Sequence, residues 1–346
     1  MRSSSQANGK RVAQVCAIVL SGFAGAASAQ DAATKVWVPE AATAQAGAAA
    51  TATEPDGWKL KLRFGSNAST NYNRDVVGST NGSTIQLGLV LEGAANLKSG
   101  QHEWLNSIAI KYQQSRSPAI DNWQKSMDDL TLESTYLYHL ASVPWIGPFG
   151  RLRLNTAMFP GYVTQGEPYV VLLDGQQIAN HSAGAGFQTT GAFEPLTLRE
   201  SIGFFAEPTK DPAFETGLKL GAGVQQLIVR QGYGVVDAGT AGQVTVTELQ
   251  DVLEAGAEFE AGAKGQLNEL VGYSVLANFL LPVVTTAETD LEGMDLLNSD
   301  IQAKVSAKLS TWGSLDYVAS LKKQPLVADV WQIQNGLLFS AGVDLL

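Results

Sequence analysis

Cysteine is all but absent from this chain of 346 residues: the single one, Cys16, lies close to the N-terminus. A fold stapled by disulfides is excluded. Histidine is nearly as scarce. His102, His139 and His181 are the full set, and none stands at metal-ligand spacing from another histidine or from the cysteine. No metal site and no cofactor motif is read. Long apolar runs are missing beyond the N-terminal segment. The nearest, VLANFLLPVV (Val275–Val284), is interrupted by Asn278 and Pro282 and is shorter than the ~18 residues of a membrane helix. Mean hydropathy is near zero. These absences exclude a helical membrane protein and leave open a chain that crosses lipid with strands.

The N-terminus reads as an export signal. Arg2, Lys10 and Arg11 make a positive start, VAQVCAIVLSGFAGA an apolar centre, and Ala27–Ala29 a small-residue cleavage site, so cleavage falls between Ala29 and Gln30. Residues 1–29 are therefore expected to be a signal peptide. Residues 30–56 are Ala/Thr-rich, lack alternation and read as a flexible periplasmic leader. The signal holds three of the 23 basic residues and none of the 33 acidic ones, which leaves 20 against 33 and a net charge of −13. That balance argues against nucleic acid as a partner.

From residue 57 onward the chain alternates with period two, the signature of strands with one apolar and one polar face. Trp58, Leu60, Leu62 and Phe64 stand against Lys59, Lys61 and Arg63. Leu152 and Leu154 stand against Arg151 and Arg153. In EAGAEFEAGAKG, the residues Ala255, Ala257, Phe259, Ala261 and Ala263 oppose Glu254, Glu258, Glu260 and Lys264. Ile301, Val305 and Leu309 oppose Lys304 and Lys308. About twelve such segments occur over residues 57–346, an even number. Short connections such as KSGQ and WGS fall at one end and longer ones, including Pro160–Glu194, at the other. The expected fold is all-β: a closed, antiparallel, up-and-down transmembrane barrel of about twelve strands, apolar outward and polar inward. Closure answers a chemical need, because lipid offers no partner to an open sheet edge. Both mature termini are then periplasmic. The partners expected are outer-membrane lipids, the barrel-assembly machinery and small polar solutes.

The stretch Gly57–Tyr162 resembles an uncharacterised family of bacterial outer-membrane β-barrel proteins, best known from Bacteroidetes and catalogued as a domain of unknown function. The resemblance is carried by WLNSIAIKY (Trp104–Tyr112), KSMDDLTLESTY (Lys125–Tyr136) and MFPGY (Met158–Tyr162). Two departures stand out: DVVGSTNG replaces a Trp followed by a Gly pair, and the chain ends in Leu345–Leu346, whereas barrel-assembly signals usually end in Phe or Trp. The resemblance implies location and architecture and no activity.

No catalytic constellation is read. Ser134 and His139 differ in strand parity, so a barrel lipid hydrolase lacks its nucleophile–base pair. Asp128–Asp129 and the acidic loop Ala287–Asp300 lack the spacing of a calcium loop. What remains is the expected lumen wall. Lys59, Lys61, Arg63, Arg151 and Arg153 come early in the chain, and Glu254, Glu258, Glu260, Lys264, Lys304 and Lys308 come late. Charges of both signs facing each other make a transverse field suited to small polar solutes. The alternative is a closed lumen in which the same charges pair, with the loops as the active surface. Pro160–Glu194 is the expected infolded piece.

Overall fold

A computed structural model of the chain describes residues 56–73, 82–118, 120–211, 213–230, 232–238, 240–310, 313–326 and 328–344. The expected signal peptide, the Ala29–Gln30 junction, nearly all of the expected leader and the last two residues lie outside them.

The described residues hold eighteen strands in chain order. The first five are β1 (Gly57–Asn73), β2 (Gly82–Ser99), β3 (His102–Ser117), β4 (Ile120–Tyr138) and β5 (Ile146–Thr156). Four short strands come next: β6 (Gly161–Thr164), β7 (Tyr169–Leu173), β8 (Gln176–His181) and β9 (Gly186–Thr190). Then come β10 (Leu196–Asp211), β11 (Phe214–Ile228), the short β12 (Tyr233–Asp237) and β13 (Gln243–Glu248), and β14 (Val252–Gln266). The chain closes with β15 (Val271–Thr285), β16 (Asn298–Lys308), β17 (Gly313–Gln324) and β18 (Ala328–Asp344).

Twelve of these close into one barrel in the order β1-β18-β17-β16-β15-β14-β11-β10-β5-β4-β3-β2. Every barrel pair is antiparallel, and closure is made by β1 against β18, with Arg63 opposite Asp344 and Ser66 opposite Ala341. The barrel strands coincide with the alternating segments of the sequence. Their polarity is that of a barrel in lipid. On β10 and β11, Ile202, Phe204 and Leu220 are each more than 60% exposed on the outside, while Ser201 and Lys219 are buried within. On β14, Phe259 is exposed and Glu254, Glu258 and Glu260 are buried. A soluble sheet would bury the other face.

The strands at the long-connection end run further than alternation indicates. The segment QSRSPAIDNWQKS, where the apolar alternation stops, is mostly strand: β3 continues to Ser117 and β4 begins at Ile120, with register shifts at Gln113/Gln114 and Ser115/Ser117. Beyond the bilayer neither face is greasy, so hairpin pairing persists without an apolar period to reveal it. Bulges also absorb proline. Pro208 falls at the register shift between Ala206 and Thr209, where the ladder does not require its missing N–H.

Pro160–Glu194 is corrected most. Its strands pair with one another and with the connection between β11 and β14. One small sheet has the order β12-β13-β7-β8, and a second joins β6 to β9. The two connections share a core of Val163, Tyr169, Val171, Val244 and Val246. Gln165 binds them together. Its Nε2 donates to the carbonyls of Ala238, Thr240 and Gln243, and its Oε1 accepts from the Gly242 N–H. This segment forms a β cap with its own core, attached at the long-connection end. Its strands are four to six residues long and show no sustained alternation, so the sequence carries no period that marks them.

Candidate lumen site

The inner wall is built by register. In an antiparallel ladder, directly opposed residues share a face, so one inward residue fixes the parity of its neighbours. Thr135 opposes Arg151, which opposes Ser201; Ser201 opposes Gly223, and Gly223 opposes Gly256. One row on, Glu133, Arg153, Arg199, Gln225 and Glu254 follow one another across β4, β5, β10, β11 and β14. All of these side chains face the interior.

The densest contact is around Arg151. From β5 its guanidinium passes β10 and β11 and reaches β14, where Nη2 donates to Glu258 and Nη1 to Glu260. Lys219 Nζ meets the other oxygen of Glu260 at 2.7 Å, and the Ser201 hydroxyl donates to Glu258 at 2.6 Å. Arg199 Nε lies 3.4 Å from the same Glu258 carboxylate. Glycine makes the room: Gly203 opposes Gly221 directly between these strands, and a Cβ on Gly223 would collide with the Glu258 carboxylate. An arginine with both carboxylates in reach is the arrangement that keeps buried charges tolerable.

Towards the long-connection end the charges face each other across the lumen. Lys111 on β3 lies 3.9 Å from Asp129 on the neighbouring β4, and within Coulombic reach of Asp300 on β16. Lys322 on β17 is in Coulombic reach of Asp300, of Arg153 and of Asp129. Asp300 and Asp129 are held by neutral donors. Gln302 Nε2 lies 3.1 Å from Asp300, and Asn155 Nδ2 lies 2.5 Å from Asp129. Acids and bases from β3, β4, β5, β16 and β17 thus converge on one level of the lumen.

At the short-turn end the interior becomes apolar on one wall, with Leu105, Leu137, Phe149 and Phe205 packed together. His139, in the turn after β4, sits beside them with its ring 5.0 Å from Phe205 and edge-on to it. Its Nε2 is 2.9 Å from Glu103 and its Nδ1 is 2.7 Å from the Pro144 carbonyl oxygen. The hydrogen bond to Glu103 raises the imidazole above its ordinary pKa, against the opposing effect of burial. On the outside at the same end, Trp58 and Trp104 pack at 6.2 Å, and Tyr136 is exposed nearby. Amphipathic rings of this kind suit the boundary between lipid and water.

The residues named from the sequence fall as follows. Arg151, Glu258 and Glu260 meet in one cluster. Arg153 approaches Glu133 at 3.9 Å. Glu254 accepts from Gln225 and Asn298, both at 3.2 Å. Lys264 pairs with Glu215 at 3.4 Å and Lys304 with Asp316 at 3.4 Å. Lys59 and Lys61 lie on the inward row opposite Asn96 and Ala94, near the short-turn end, and Lys308 is exposed at that end opposite Ser314. Arg63 opposes Glu92 in register, and its side chain lies outside the described residues. Asp128 accepts from the Met158 and Phe159 N–H groups and from Lys125, anchoring the start of the cap. Ser134 bonds Trp104 and Asn106 on the outside, remote in bonding from His139.

Sequence reasoning missed Lys219, Arg199 and Lys322, and it weighed Asp129 and Asp300 as cation ligands, not as lumen charges. Lys219 was visible as the polar member of the alternation in ETGLKLGAG. The others depend on strand tilt, which decides which rows meet across the interior and leaves no trace in a single strand.

A closed barrel with an apolar exterior and a charged interior defines a transmembrane β-barrel. Residues 59–162 match a family described as "Protein of unknown function (DUF3078)". This meets the resemblance read over Gly57–Tyr162. No curated protein matches the chain. Among solved structures, the chain is similar to the beta domain of the Bordetella autotransporter BrkA, at 11% identity and a TM-score of 0.35, covering 84% of this chain and 99% of that one. It is similar to the translocator domain of autotransporter NalP from Neisseria meningitidis, at 8% identity and a TM-score of 0.38, covering 84% and 89%. It is also similar to an outer membrane channel from Pseudomonas putida F1, at 8% identity and a TM-score of 0.38, covering 84% and 97%. Likeness at this level fixes neither activity nor ligand.

Proposed function

We propose that this protein is a bacterial outer-membrane barrel that binds and passes small polar solutes through its charged lumen. The observation that carries the reading is that Lys111, Asp129 and Arg153, from β3, β4 and β5, lie within Coulombic reach of Asp300 or Lys322, from β16 and β17 across the barrel order. A transverse field of both signs orients dipolar solutes and holds ordered water, which a purely structural interior does not need. The apolar exterior and the aromatic residues at the short-turn end suit insertion by the barrel-assembly machinery into outer-membrane lipid, with both mature termini periplasmic. The reading requires no catalysis, no cofactor and no nucleic acid.

A closed-lumen reading has one observation in its favour. Arg151, Lys219, Glu258 and Glu260 are buried and mutually paired, as in a structural plug. That cluster, however, runs along adjacent strands β5, β10, β11 and β14 and so lines one wall.

Liposome swelling separates the two. Vesicles of phosphatidylcholine containing the refolded chain should swell in iso-osmotic glycine or arabinose faster than empty vesicles, and slowly in a trisaccharide. Swelling equal to that of empty vesicles in every solute would contradict solute passage.

A further inference from the structure

Resting on that reading, we propose that Arg153, Arg199 and Lys322 form an oxyanion-binding constriction at the long-connection end of the lumen. Its ligands are small carboxylates or phosphates.

Arg153 on β5 and Arg199 on β10 stand directly opposite each other in register. Like charges in that relation are destabilising unless something compensates them. The protein's own acids compensate them only in part. Among the described residues Arg153 approaches a carboxylate no closer than 3.9 Å, through its Nε on Glu133. Arg199 reaches Glu258 through Nε at 3.4 Å, but that carboxylate is already bonded by Arg151 and by the Ser201 hydroxyl. The Nη2 of Arg199 is buried and has no hydrogen-bond partner among the described residues. Lys322 brings a third positive charge within reach of Arg153 from β17.

Lys219 meets Glu260 at 2.7 Å, and Lys264 and Lys304 each have an acid at 3.4 Å. What sets the Arg153–Arg199 pair apart is that two guanidinium groups stand directly opposite each other in register and one of them keeps a buried N–H donor without a partner among the described residues. Asp129 and Asp300 are close enough to keep the cluster from being strongly positive overall. They spend their oxygens on Asn155, Thr131 and Gln302. A planar guanidinium edge offers two parallel N–H donors at the spacing of two oxyanion oxygens. A carboxylate or phosphate seated there would satisfy the Arg199 Nη2 and relieve the Arg153–Arg199 repulsion together. Lactate, succinate and inorganic phosphate share this chemistry.

The test is calorimetric titration of the refolded, detergent-solubilised chain with sodium succinate and, separately, with sodium phosphate, against sodium chloride at equal ionic strength. Saturable binding of succinate, phosphate or both is expected, and the stronger of the two identifies the class of oxyanion. Arg153→Gln/Arg199→Gln should weaken that binding at least tenfold, while Lys308→Gln leaves it unchanged. Arg199→Lys, which keeps the charge and loses the fork, should weaken it several-fold and serves if the double variant does not refold. No saturable heat with either anion, from protein that retains heat-modifiable mobility, overturns the proposal. Swelling of vesicles in that case shows that solute passage survives without the anion site. Binding without swelling shows the reverse.

Discussion

Arg151 reaches two carboxylates from three strands away because the strands between them carry Ser201, Gly203, Gly221 and Gly223, side chains too small to obstruct it. Both acids are buried, so removing the arginine leaves two charges with reduced compensation. Lys219 stays with Glu260 and Arg199 only grazes Glu258. Arg151→Gln should lower stability by about 3–5 kcal/mol, read as the urea midpoint of the refolded barrel. A change of a few tenths would show that the interior is hydrated enough to screen the pair. His139 makes a second prediction at this scale. Both ring nitrogens face acceptors, which favours the imidazolium, and its folded pKa lies above the ordinary value of about 6.5. A raised pKa contributes stability that is complete below that ordinary value and is lost as pH rises through the folded value. Urea stability should therefore fall on going from pH 6 towards pH 9, and Glu103→Gln should flatten that fall. An equal slope in the variant would assign the pH dependence to other groups.

The barrel strands were legible in the sequence because lipid imposes an apolar residue at every second position. That pressure ends where the bilayer ends. The extensions of β3 and β4 beyond it, and the cap strands β6 to β9, obey hydrogen bonding and local cores, neither of which has a period to detect. Inward charge was legible as parity: Glu258 and Arg151 are polar members of their alternations. Their meeting was not, because it depends on the stagger between β5 and β14. Glycine inside the strands was legible only as frequency. Its reason appears in the pairs. A Cβ on Gly203 would strike the Leu220 carbonyl and the Cα of Gly221, backbone that cannot turn aside. Gly203→Ala should therefore cost about 1–3 kcal/mol by overpacking. Gly150→Ala, where a Cβ has nothing within 4 Å, should stay within about 0.5 kcal/mol. Equal urea midpoints for the two variants would show that β10 and β11 can separate at no cost.

The whole molecule inverts the usual arrangement of a soluble sheet. Apolar side chains such as Ile202, Phe204 and Leu220 form the outside, and a net-acidic chain gathers acids and bases within. Closure through β1 and β18 leaves no barrel edge unpaired, which is what a spanning sheet in hydrocarbon requires. The cap adds a compact unit at the end where β5 and β10, and β11 and β14, are joined. The apolar packing of Leu105, Leu137, Phe149 and Phe205 lies at the other end. Between them the charges of β3, β4, β5, β16 and β17 share one level, the proposed point of contact with solute. Single-channel conductance of the refolded mature chain in a planar bilayer, beside an Asp129→Asn/Asp300→Asn variant, tests this most directly. Steady current steps are predicted, with ion selectivity moving towards anions in the variant. A bilayer that stays sealed, although the protein shows heat-modifiable barrel mobility, would contradict a conducting lumen.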